Sequence, residues 1–145
     1  MKDIPDWYHR PYFADVTLIM LHAAQGRLAF LNEELVAYRR HSGSVHAGGA
    51  QARSEEREMV QFRGMIDFYE MLDRHFDGRF HDVLRLRVAE HCYDLAWPLV
   101  RRGERAELRR TLGKAARNKL FHPKVRPSFV LKCWIRAWLP RAQGS

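Results

Sequence analysis

Cysteine is scarce in this chain of 145 residues. The two that occur, Cys92 and Cys133, are far apart and form no C-x-x-C pair. A zinc site of the usual spacing is therefore not expected, and both are read as buried free thiols in helical, apolar settings. Long apolar runs are also missing: none approaches the ~20 residues that a membrane span requires. The opening stretch "MKDIPDWYHRP" has no apolar h-region, so no signal peptide is expected and the reading is cytoplasmic. Walker spacing, a helix-turn-helix pattern, an RNP pattern and metal-finger spacing are all lacking, which argues against a specific nucleic-acid binder. Acidic side chains nearly vanish towards the end. Residues 101–145 hold 13 Lys/Arg against 2 Asp/Glu, and the first hundred hold 12 against 15, for an overall net charge of +8. A basic tail on a near-neutral body suits a polyanionic partner, whether lipid headgroups, nucleic acid or an acidic neighbouring surface, or else a solvated helix surface.

The pattern of what is present divides the chain near residue 50. "DWYHRPYFA" is aromatic, with Pro5 and Pro11 opposing a helix. "DVTLIMLHAAQG" predicts a helix with Asp15 as N-cap, Val16, Ile19 and Met20 on one face, and Gly26 as its stop. "RLAFL" and "LVAYRR", joined by an acidic turn, predict two short strands, and "HSGSVHAGGA" reads as loop. From there the period is helical. "SEEREMVQFRGMIDFYEMLDRHF" opens on Ser54 and places Met59, Phe62, Ile66, Tyr69 and Leu72 on one side. Asp77-Gly78 breaks it. Three further helices follow: one with a kink expected at Pro98, a short basic one, and "SFVLKCWIRAWLP". The expected architecture is an α/β remnant, one helix plus two short strands, over residues 1–50, followed by an all-helical tail over 51–145, mostly α overall. Two strands alone make a marginal sheet, so they read as the edge of a larger one.

The ordered set "DIPDWYHRPYFADVTLIMLHAAQGRLAFLNEELVAYRRHSGSVHAG" resembles the C-terminal part of the catalytic domain of family 2 glycosyltransferases. An aromatic segment, an Asp opening a helix, a Gly, a strand, an acidic turn, and Tyr-Arg-x-His follow one another in that family. Here Asp15, Gly26, "LAFLNE", Tyr38, Arg39 and His41 stand in that order. The resemblance covers Asp3 to about Gly49. It implies a partial GT-A domain over 1–50, a helical extension over 51–145, and inverting transfer from a nucleotide-sugar donor to an acceptor. It also implies Mg²⁺ or Mn²⁺ held on the donor diphosphate by a D-x-D motif. No D-x-D occurs in these residues. A hard cation on a diphosphate needs closely set carboxylates. The expectation is therefore a fragment or truncated form, the acceptor-side half, inactive as an isolated chain.

Residue by residue, the resemblance makes Asp15 the general base that takes the acceptor's proton, with an ordinary helix cap as the alternative. It puts Arg39 and His41 near the donor diphosphate, and His41 within reach of a metal. Guanidinium pairs with phosphate and neutral imidazole ligates metal, against a bland reading as a surface Arg and a loop His. Trp7 and Tyr8 are acceptor-side candidates, because sugars stack on aromatic faces, with packing as the alternative. Trp97, Tyr93 and Leu95 read as helix packing. In "SFVLKCWIRAWLP", Ser128, Lys132 and Arg136 share one side, opposite a wide arc of Val130, Leu131, Trp134, Ile135 and Trp138. Such a helix lies at a membrane interface or packs against the helices before it. The competing function is accordingly a non-catalytic helical interaction module whose basic tail meets a membrane surface or a protein partner.

Overall fold

The computed structural model describes residues 14–29, 31–33, 37 and 54–139. Five helices lie among them: α1 (Ala14–Gln25), α2 (Glu55–His75), α3 (His81–Arg102), α4 (Arg105–Lys119) and α5 (Pro127–Trp138). The chain falls into two compact units, Met1–Ala52 and Arg53–Ser145.

In the first unit the described part is α1 and a short segment after it. Asp15 sits in the first turn rather than before it, and its Oδ1 accepts from the Val16 amide at 2.9 Å. The Gly26 amide donates to the His22 carbonyl at 3.2 Å, where the helix stops. The buried position of α1 is Thr17, and Ile19 is exposed, so the face expected from Val16, Ile19 and Met20 is not the buried one.

The two expected strands are corrected. Among the described residues there is no strand, and the described chain is all-helical rather than an α/β remnant. Leu28, Ala29, Leu31, Asn32, Glu33 and Ala37 lie in irregular backbone. A strand is held by burying one face. Leu28 and Leu31 differ in parity, so they would point to opposite faces. Both are open to solvent, at 60% and 62% exposure. Phe30, 34–36 and 38–40, the remainder of those segments, lie outside the described residues.

The second unit is built around α3. Helix α2 starts at Ser54, whose Oγ accepts from the Arg57 amide at 3.3 Å, with Glu55, Glu56 and Glu58 in the first turn favouring the positive end of the dipole. Met59, Ile66, Tyr69 and Leu72 form its buried stripe, joined by Phe68. The chain turns through Asp77 (φ 49°) and Gly78 (φ 72°) into α3. That helix runs unbroken through Pro98 to Gly103, which adopts φ 74° as the left-handed cap. Leu84, Val88, Cys92, Leu95 and Leu99 carry the core, and Tyr93 is buried with them. Trp97, expected to pack, is exposed.

Helices α2, α4 and α5 each pack on α3, and α5 also packs on α4. The C-terminal carbonyls of α4 would be orphaned by the helix end. α3 supplies donors: Arg85 Nε to the Asn118 carbonyl at 2.6 Å, and the Tyr93 hydroxyl to that of Leu120. Burial pushes the Tyr93 hydroxyl up to about 12, so it stays a donor across the accessible pH range.

Candidate functional site

The first unit contributes one described candidate. Asp15 presents an exposed carboxylate on the opening turn of α1, one oxygen engaged by the Val16 amide. The helix start restrains the backbone that carries it. A carboxylate so placed can accept a proton from a hydroxyl brought to it. Trp7, Tyr8, Arg39 and His41 lie outside the described residues. The structure therefore places Asp15 alone among the sequence-predicted site residues. Among the described residues no three His, Cys, Asp or Glu side chains come together as a metal-holding group.

The second unit has a cleft that the sequence did not suggest. Helices α2 and α4 straddle α3 without backbone contact between them. The gap is about 360 Å³, with Cys92 and Leu95 of α3 at its floor. Two ion pairs cross from α2 to α4. Arg63 meets Glu107 through Nε at 2.7 Å and Nη2 at 3.0 Å, a two-pronged match of guanidinium and carboxylate. Lys114 meets Glu70 at 2.9 Å. The hydrogen bond from Arg63 lowers the pKa of Glu107. Cys92 is no nucleophile here: burial pushes its thiol up to about 12. Asp67 and Arg110 also line the cleft, and the two pairs tie α2 to α4 across α3. Arg63 and Glu107 are 44 residues apart. No local pattern could have announced them.

A second groove, about 390 Å³, lies where α5 begins. Trp97 and Phe129 meet there with ring centroids 6.1 Å apart, and Tyr93, Asp94, Lys124, Val125 and Arg126 complete the lining. Lys124 is bound to Glu90 at 2.7 Å, and Arg87 reaches the same carboxylate at 2.7 Å. Burial works against the charged form of Glu90. The hydrogen bonds from Lys124 and Arg87 outweigh it and hold the carboxyl at about 2. Beside them His122 is buried, its Nδ1 accepting from the Lys124 amide at 3.2 Å. These contacts fasten the 120–126 loop to α3.

No family model, curated protein or solved structure matches this chain. Its function rests on the residues themselves. Of the side chains singled out as site candidates by the sequence, Asp15 is the one among the described residues, and it is exposed.

Proposed function

We propose that this chain carries the acceptor-side end of an inverting nucleotide-sugar glycosyltransferase, with Asp15 as the base that takes the acceptor's proton. One observation carries the reading: Asp15 stands exposed on the first turn of a helix that ends at Gly26, within the ordered set of residues running to Tyr38, Arg39 and His41. In this reading Arg39 and His41 face the donor diphosphate, with His41 beside its Mg²⁺ or Mn²⁺, and Trp7 and Tyr8 lie on the acceptor side. The donor-binding half and its D-x-D carboxylates are not among these residues, so transfer requires them to be supplied. A cytoplasmic location accords with two cysteines that are both free and buried.

Calorimetry on the chain alone, titrated with UDP-, GDP- and TDP-sugars and with Mn²⁺, is expected to show weak or no binding. Micromolar, metal-dependent binding would sink the claim that the donor half is missing. In an enzyme completed with a donor-binding half, Asp15→Asn is expected to abolish most transfer while donor affinity persists. The amide keeps the shape but accepts no proton. His41→Ala is expected to weaken donor or metal use instead. Near-normal turnover by the Asp15→Asn enzyme would reduce Asp15 to a helix-start residue.

A further inference from the structure

Helix α5 buries small side chains and leaves three of its large ones exposed. Val130, Cys133 and Ala137, at i, i+3 and i+7, are its buried seam. Leu131, Ile135 and Trp138, at i, i+4 and i+7, form a second stripe that is 61%, 43% and 65% exposed. The wide apolar arc of this helix is thus divided, and only one part of it serves the core. At about 100° per residue, Lys132 and Arg136 border the exposed stripe on one side. On the other side Arg109 of α4 lies over the Trp138 ring, its guanidinium carbon 5.2 Å from the ring centre.

The charge around this stripe has one sign. Arg63, Arg87, Arg101, Arg102, Lys114 and Lys124 are each paired with a carboxylate. Among the described residues, no ion pair involves Arg109, Lys132 or Arg136. Residues 108–145 contain ten Lys/Arg and no Asp/Glu. An exposed apolar stripe bordered by unpaired cations is the pattern of a helix that lies in a bilayer interface.

We propose that this face of α4 and α5 docks on an anionic membrane surface. Leu131, Ile135 and Trp138 enter the boundary between headgroups and acyl chains, while Arg109, Lys132 and Arg136 meet lipid phosphates. Helix α5 has 12 residues, about 18 Å at 1.5 Å per residue. It is too short to cross a hydrocarbon core of about 30 Å, so it lies in the plane of the surface. A second copy of the chain fits this face poorly. A two-fold contact would set the same cations against each other around a small apolar centre. A nucleic-acid backbone would leave Leu131 and Ile135 in water. The proposal goes beyond the reading of Asp15 and does not depend on it, since the two involve different residues.

The test is sedimentation of the full chain with vesicles of phosphatidylcholine alone and of phosphatidylcholine mixed with phosphatidylglycerol. Binding is expected on the mixed vesicles only, with release as salt is raised. Each cation near an anionic surface is worth about fivefold in partitioning, so Lys132→Gln with Arg136→Gln should lower it about 25-fold. Leu131→Ser with Ile135→Ser should weaken binding at low salt too, because apolar insertion is lost. Both pairs are exposed, and circular dichroism should show wild-type helix content. In the wild type, tryptophan emission should shift to the blue on binding, and Trp138→Phe should remove most of that shift. Equal sedimentation with both vesicle types, or none with either, would overturn the proposal. So would undiminished binding by the Leu131→Ser/Ile135→Ser chain, which would mark a mere polycation. A self-associating chain that these serines render monomeric, with no vesicle binding, would give the face to a second copy and overturn it as well.

Discussion

Glu90 and His122 make the 120–126 loop sensitive to acid, and both act in the same direction. Glu90 has its folded pKa lowered from 4.5 to about 2, because Lys124 and Arg87 hold the carboxylate against the cost of burial. A depressed carboxylate contributes stability that is full above its unfolded value and lost as the pH falls through the folded one. His122 is depressed below 6.5 by burial, so its neutral form is the folded one, and its contribution also declines on acidification. Thermal melts should therefore show stability falling first as the pH drops below 6.5, then again between 4.5 and 2. In Glu90→Gln the second fall should be shallower, with Glu107, also depressed by its bond from Arg63, left to contribute to it, at a neutral-pH cost of about 1 kcal/mol, the scale of a partly solvated ion pair. A melt of Glu90→Gln that follows the wild-type acid profile would contradict this. The thiols behave differently. Burial pushes Cys92 up to about 12 and Cys133 to about 11. Neither should react with a disulfide reagent at pH 8 until denaturant is added, whereupon both should. Rapid labelling of the native chain would show that one of these sites opens locally.

Single residues also set where the helices start and stop, and their removal should cost what a cap costs. Ser54 satisfies an orphan amide at the start of α2. Ser54→Ala should lower stability by about 1 kcal/mol. Gly103 ends α3 at φ 74°, a conformation that a Cβ disfavours by ~1–2 kcal/mol, so Gly103→Ala should cost about that much. Denaturant melts with an unchanged slope would attribute both losses to folded-state stability. A neutral Gly103→Ala change would show that the backbone relaxes there. Pro98 is the contrary case. It removes an amide near the C-terminal end of α3, yet the helix runs on to Arg102 because Leu95, Ala96 and Leu99 around it are buried. Packing of an amphipathic face outweighs local propensity.

At the scale of the molecule, the second unit has its own core, spread over α2 to α5 and centred on α3. Residues 53–145 alone should therefore fold, with a cooperative melt and high helix content. A non-cooperative or unfolded piece would mean that the core requires the first unit. The Arg63–Glu107 and Lys114–Glu70 pairs join α2 to α4 across the cleft. A double-mutant cycle on Arg63 and Glu107 should give a coupling of about 0.5–1 kcal/mol, since the pair is partly solvated. A coupling indistinguishable from zero would show the cleft to be held by α3 alone.

The helical tail was legible from the chain by itself. Ser54, the stripe from Met59 to Leu72, Asp77-Gly78 and Gly103 are local signals, and periodicity and caps act over a few residues. The end of α1 at Gly26 was legible for the same reason, whereas the helix begins at Ala14 and takes Asp15, the expected cap, into its first turn. The strands were not, because a strand exists only through partners that lie elsewhere. Alternation in "RLAFL" says nothing about whether a neighbour is there to pair with it or a face to bury. Which apolar arc of α5 meets the core was likewise undecided. A wheel gives Val130 and Leu131 nearly equal claims, and only the fit of small side chains against α3 and α4 chose Val130, Cys133 and Ala137. The pairing of Arg63 with Glu107, and of Arg109 with Trp138, belongs to the same class. These contacts span long separations in the chain, so they are decided by how the helices pack and not by any segment alone.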